Sequence, residues 1–251
     1  MGKGILSLTV LASLTLLSYT LFQYFRESTN VPLGEIKIIG SQHAAESELL
    51  QLAGVDFTTS LMNLDLREVS RRLSRHPWVE KAQVKRDWSR KALIIEVQER
   101  VPQALLLLDE LYLVDRGGEV FKRTDSKDRL DLPVLTGVRK DEIQNRETKT
   151  LNLIRQALEL LTLLEKRRGF TPGDVSEIHL NPQNGLTLYT LMGGFPIRLG
   201  AGDFADKIDR LEKVLPDLQP KAKDVEYIDL NYSKKVVVKM KEVEKEKPRK
   251  S

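Results

Sequence analysis

Three histidines, His43, His76 and His179, are the side chains best suited to metal ligation or proton transfer near neutral pH. They are isolated, without the paired spacing that metal sites use. His76 precedes Pro77 and reads as a helix-end residue. Two adjacent acid pairs, Asp109-Glu110 and Asp141-Glu142, could do general acid/base work only if their carboxylates converged. Neighbouring side chains on a strand or turn diverge, so that reading is weak. Gly117-Gly118 and Gly193-Gly194 read as turns and not as phosphate cradles, because neither opens a helix. No G-x-S-x-G, P-loop or G-x-G-x-x-G occurs. With no cysteine, there is no disulfide, thiolate metal site or cysteine nucleophile. We expect no catalytic, metal-binding or cofactor-binding residue, and no enzyme.

What remains is main-chain chemistry. Residues 234–240, KKVVVKM, are β-branched in the middle and charged at both ends. A strand closing a domain often lies at a sheet edge, where unpaired N–H and C=O groups can take a partner strand. Lysines can equally protect such an edge. Residues 82–86 form a second possible edge, for which protection is the favoured reading.

The elements that position these edges follow from periodicity. Ala82 and Val84 alternate with Gln83 and Lys85; Leu93, Ile95 and Val97 alternate with Ile94, Glu96 and Gln98. This period of two predicts a β-hairpin turning at Asp87-Trp88-Ser89-Arg90 and ending near Arg100, since Pro102 cannot donate to a ladder. A hairpin alone is marginal in water and needs an apolar cover. Upstream, Ile36 and Ile38 mark a short strand ending at Gly40. Residues 47–53 read as a helix stopped by Gly54. Residues 65–75 read as another, with Asp65 as cap and Glu68 completing a capping box. Its apolar stripe is Leu66, Val69 and Leu73, and its arginines are read as a solvated face.

Beyond Pro102, residues 104–114 read as a hairpin broken at Asp109-Glu110, with a further strand after Gly117-Gly118 and an extended stretch at 132–137. Residues 147–168 are the longest helix candidate, with Lys166-Arg167-Arg168 complementing its dipole. Strands are expected at 175–180, 186–191 and 195–199. A helix capped by Asp203 should follow, then strands at 225–232 and 234–240. Residues after Lys241 read as a disordered tail.

Residues 4–25 contain no charged residue, and as a helix they would be about 30 Å long, enough to cross a bilayer. Ile5, Leu11, Leu17 and Tyr24 lie on this expected span, with the N-terminus in the cytoplasm. The net charge of +4 is misleading: residues 234–251 carry eight Lys or Arg against three Glu, so the remainder is −1. The body offers no field for nucleic acid, and none is expected as a partner.

Taken in order, several segments resemble the FtsQ/DivIB family of bacterial cell-division proteins. They are Gly34-x-Ile36-x-Ile38-x-Gly40, His76-Pro77-Trp78-Val79-x-x-Ala82-x-Val84, Val97-x-Glu99-Arg100-x-Pro102, Leu113-Val114-Asp115-x-x-Gly118-x-Val120-Phe121, Leu132-Pro133-x-Leu135-x-Gly137, Ile197-Arg198-Leu199-Gly200 and Ile228-Asp229-Leu230-x-Tyr232. Two departures are Ser89-Arg90 after Trp88, where the family often has Pro, and Asn231, where Arg is common.

The resemblance implies an α+β protein. A cytoplasmic end and transmembrane helix would fill residues 1–28 and a βααββ POTRA domain 33–101. A larger mixed β domain with two helices would fill 102–241, and a charged tail 242–251. It implies a bitopic protein of the cytoplasmic (inner) membrane at the division septum, with its large domains outside the cytoplasm. Partners implied are FtsB and FtsL, with FtsW, FtsI, FtsK, FtsN and FtsA where present. It further places the FtsB strand against Tyr232, Lys234, Lys235, Val236, Val237, Val238, Lys239 and Met240. Two rival expectations are a POTRA-type receptor for exported polypeptides, which would be followed by a β-barrel or further repeats, and a membrane-anchored cell-wall hydrolase, which would need convergent carboxylates or a nucleophile.

Overall fold

The computed structural model describes residues 13–21, 31–125, 128 and 130–242. Of the N-terminal stretch, residues 13–21 are helical (α1) and include Leu17. Ile5, Leu11 and Tyr24 of the expected span lie outside the described residues, as does the tail from residue 243. Among the described residues no helix is long and apolar enough to cross a membrane. The chain divides into two compact units, one up to Arg100 and one from Val101.

The first unit runs β1 (Glu35–Ile39), α2 (Glu46–Ala53), α3 (Leu66–Leu73), β2 (Val79–Asp87) and β3 (Ala92–Glu99). Its sheet order is β1-β3-β2, with β1 parallel and β2 antiparallel to β3. The hairpin register sets Ala82 opposite Val97 and Val84 opposite Ile95, so the apolar alternation falls on one face. Leu93 and Ile95 are buried with Leu49 and Ala53 of α2 and Val69 and Leu73 of α3. Each Leu, Ile or Val among them contributes roughly 1.5–3 kcal/mol when fully buried. Gly54 ends α2 in the left-handed conformation, its N–H returning to Leu50 and Gln51 carbonyls.

The α3 capping box is only half formed. Asp65 accepts from the Arg67 and Glu68 amides, at 2.9 and 3.2 Å. Glu68, however, takes the guanidinium of Arg72 at 3.0 Å together with Arg71. A charge-assisted bond one turn away outcompetes a neutral backbone donor. Arg72 also donates to the Ala53 carbonyl at 3.3 Å, satisfying the last turn of α2, so the arginine face is not merely solvated.

A second clasp joins the β3 end to the loop before α2. The Glu99 carboxylate accepts from the amides of Gln42, His43 and Ala44 at 2.8–3.0 Å, and from the His43 ring at 2.8 Å. Burial alone would raise the Glu99 pKa, but these donors outweigh it and hold the carboxyl below its ordinary value. A carboxyl whose folded pKa is depressed stabilises above its unfolded pKa, and that stability is lost as pH falls through the folded one. The first unit should therefore lose stability below about pH 4.5, the ordinary glutamate value. Glu99→Gln should lower the melting temperature at neutral pH and flatten the acid limb of a melting-temperature-against-pH curve. An acid limb unchanged by that substitution would rule this clasp out as its source.

The second unit contains β4 (Pro102–Leu107), β5 (Leu111–Asp115), β6 (Val120–Arg123), β7 (Val134–Thr136), α4 (Lys140–Gln144), α5 (Thr148–Leu164), β8 (Val175–Asn181), β9 (Gly185–Thr190), β10 (Pro196–Gly200), α6 (Phe204–Leu218), β11 (Val225–Asp229) and β12 (Val237–Met240). The strands form one mixed nine-stranded sheet, ordered β12-β11-β10-β9-β8-β7-β4-β5-β6. The core joins Leu106, Leu135, Ile178, Leu188 and Ile228 of the sheet to Ile154, Leu161 and Leu164 of α5 and Ile208 and Leu211 of α6. Pro102 opens β4, where a missing N–H is least costly.

Four expectations need correction here. The longest helix ends at Leu164 and does not continue to 168. The chain leaves it to bury Phe170, whose amide is taken by Glu212 at 3.2 Å, while Arg167 pairs with Asp209 and Glu212 of α6 instead of its own helix end. Asp203 stands at the start of α6 but makes no side-chain cap bond. Its φ of +50° is left-handed, whereas a capping side chain needs extended backbone to reach the following amides. Lys207 ties this turn instead, donating to the Ala201 and Gly202 carbonyls at 2.9 and 2.8 Å. The β domain carries a third, short helix, α4. Finally, β11 stops at Asp229 and β12 begins only at Val237.

Candidate partner-binding edge

The side chains that could have done chemistry are separated and already engaged. His43 stacks on Trp78 with centroids 4.1 Å apart and bonds Glu99; His76 meets Glu48 at 3.1 Å; His179 meets Thr136 at 2.9 Å. Asp109 turns to Lys140 at 2.6 Å and Glu110 to Arg123 at 2.9 Å, so the pair diverges. Asp141 pairs with Arg139, and Glu142 accepts from the backbone of Arg139 and from Thr150. At Gly117-Gly118 the Asp115 carboxylate fills the turn, accepting from the Gly117 and Glu119 amides at 2.9 and 3.0 Å. Among the described residues no cluster of three or more His, Asp or Glu could hold a metal.

The last strand has a different character. Among the described residues β12 ends the nine-stranded sheet, with β11 on one side and no strand on the other. The register is antiparallel: Asp229 opposite Val237, Ile228 opposite Val238 and Tyr227 opposite Lys239, with a bulge on β11 before Val225 meets Met240. Just past the strand, the Lys241 amide donates to the Asp224 carbonyl at 2.7 Å. Amides two apart on a strand point the same way. Those of Lys239 and Val237 therefore turn toward β11, and those of Val238 and Met240 face outward along the open side. Val238 packs against the core opposite Ile228, while Val237 and Met240 are exposed.

Lys234 and Lys235 are exposed at the entry to the strand, while the two lysines at its far end turn to their neighbours. Lys239 bonds Glu226 at 2.8 Å and lies 5.8 Å from the Tyr227 ring; the Glu226 carboxylate holds its ammonium above the ordinary lysine range. Lys241 donates its side chain to the Lys223 carbonyl at 2.7 Å. Both are drawn toward the sheet interior side of the strand.

Tyr232, expected to end the preceding strand, and Lys234, Lys235 and Val236, expected on the last one, occupy the connection between them. Lys234 is left-handed, with φ +66°. The Arg210 guanidinium of α6 holds this connection, donating to the carbonyls of Tyr232 at 2.9 Å, Lys235 at 2.7 Å and Leu230 at 3.4 Å, with Asp206 accepting at 3.0 Å. Nothing in the local sequence around Arg210 marks this role, because its acceptors lie twenty or more residues on. Asn231 sits against Gly200, whose φ of +66° and lack of a side chain leave room for its amide. Any Cβ at Gly200 would overlap it.

In the first unit, β2 is likewise a terminal strand, so residues 82–86 are at an edge. It is studded with polar residues, Lys85 bridging to Glu96 at 2.7 Å, and it reads as a protected edge.

Comparison with known proteins bears on both units. Residues 105–231 match the model of the C-terminal part of the cell division protein FtsQ/DivIB family, and residues 31–100 match the FtsQ-type POTRA domain. The chain is 38% identical to the cell division protein FtsQ of Syntrophotalea carbinolica over 82% of its own length and 72% of the relative's. It is 34% identical to that of Geotalea daltonii over 88% and 80%, and 35% identical to that of Geobacter sp. strain M21 over 95% and 86%.

Proposed function

Because the chain belongs to the FtsQ/DivIB family of cell division proteins, we propose that it is a non-enzymatic scaffold of the divisome, held to the cytoplasmic membrane by residues 4–25, that takes a strand of an FtsB-like partner along β12. In this reading FtsL comes with FtsB, and the septal peptidoglycan synthases FtsW and FtsI are recruited through the assembly. The observation that carries the proposal is the open side of β12. Backbone amides at Val238 and Met240 face away from β11, on a strand whose one lysine, Lys239, reaches across to Glu226 of β11. Backbone bonds along such an edge give affinity, and alternate side chains give choice. Tethering both partners to one membrane raises their effective concentration, so a short ladder can suffice.

The test is site-specific photo-crosslinking in dividing cells. A probe at Met240 should yield an adduct with a small single-span division protein. A probe at Phe121, on the β6 edge at the far end of the sheet, should not. Equal adducts at both positions, or none at Met240, would remove the strand-addition reading.

A further inference from the structure

The first unit gathers three exposed apolar side chains at one end. Trp88 is 55% exposed at the tip of the β2–β3 hairpin, and Phe57 and Met62, 64% and 45% exposed, rise from the loop between α2 and α3. These segments are tied together. Arg86, beneath Trp88 with its guanidinium 5.7 Å from the ring, donates to the Leu61 carbonyl at 2.7 Å and to that of Leu64. The incoming chain joins the same end. The Leu61 amide bonds the Val31 carbonyl at 2.9 Å, Leu33 bonds Thr59 at 3.3 Å, and Gly34 bonds Lys91 at 2.8 Å. Of the acids nearby, Asp56 is committed to Thr58 and Thr59, Asp87 to Ser89 and Arg90, and Asp65 to the start of α3, while Glu35 is exposed at the start of β1.

This is also where the apolar N-terminal stretch connects. Only residues 26–30 separate Phe25 from Val31. At 3.3–3.6 Å per residue the link reaches at most about 20 Å. An end so tethered, carrying an indole beside arginine, has the composition that favours the membrane–water interface, where amphipathic rings sit at headgroup depth.

We propose that this end of the first unit rests on the bilayer surface, with Trp88 at headgroup level and Phe57 and Met62 beside it. The occupant is lipid, because the tether keeps this end within reach of the membrane whatever other proteins are present. The inference rests on the anchored reading given above.

The full chain is reconstituted in phosphatidylcholine vesicles and floated on a density gradient. Trp88→Leu serves as the blank, so the emission difference isolates Trp88 while Trp78, buried and stacked on His43, is kept. With lipid brominated near the headgroup, at least half of the Trp88 emission should be lost. Iodide in the buffer should quench it several-fold less than free N-acetyltryptophanamide. A chain that floats but whose Trp88 is untouched by bromolipid, and quenched by iodide like the free indole, would overturn this proposal and leave the anchor standing. A chain that does not float would overturn both.

Discussion

Replacing Met240 with proline should weaken binding of an FtsB-derived peptide about tenfold, with little effect on folding. Met240 contributes an outward amide and an exposed side chain, so the substitution removes a donor from the open side without touching the β11 ladder. One main-chain hydrogen bond contributes about 0.5–1.5 kcal/mol, and the fixed proline φ adds misfit to an incoming strand. About 1.4 kcal/mol is tenfold in affinity. Val237→Pro makes the informative contrast. Its amide turns toward β11, so it should detach β12 itself, lowering the melting temperature as well as the affinity. Fluorescence anisotropy with a labelled peptide, beside thermal melts, reads both. Unchanged affinity in the Met240 variant would mean that no strand adds there.

Arg210→Ala should release the connection that launches β12. Three carbonyls lose a charged donor at once, those of Leu230, Tyr232 and Lys235. The Leu230 bond is partly buried, and leaving that acceptor unpaired costs about 1–3 kcal/mol, while water can replace the guanidinium at the exposed Tyr232 and Lys235 carbonyls. The variant should melt several degrees lower, and the β11-facing amides of Val237 and Lys239 should exchange with solvent faster while those of β8 and β9 hold. Partner affinity should fall in proportion to the fraction of molecules with β12 docked. Arg210→Lys should rescue little, because an ammonium lacks the planar fork that reaches three acceptors. Unchanged exchange at Val237 and Lys239 in Arg210→Ala would show that the strand docks without this clamp.

Comparing these elements with their sequence shows where local pattern suffices. The β2–β3 hairpin was legible because one of its faces is buried and a period of two leaves only one register for Ala82, Val84, Ile95 and Val97. α3 was legible from Asp65 and its apolar stripe. The end of α5 was not, since Lys166-Arg167-Arg168 and Gly169 satisfy every local rule for a later stop. The competing demand, burial of Phe170 against acids of α6, lies some forty residues away. The same limit governs the edge. The run Val236-Val237-Val238 announced a strand, but its start was set by Arg210, and its place at the margin of the sheet by the parallel pairing of β10 with β11 across α6. Asp203 failed as a cap for a purely local reason, a left-handed backbone that the preceding Gly200-Ala201-Gly202 did not reveal.

The sheet order also sets a sequence of events in time. β12 follows every other strand in the chain, and its place beside β11 exists only once α6 and the β10–β11 crossover are folded. A chain still being synthesised, or one cut short before Val237, can complete the rest of the sheet while displaying β11 as its margin. If β12 is the docking edge proposed above, the surface it offers exists only after translation has run through Val237–Met240.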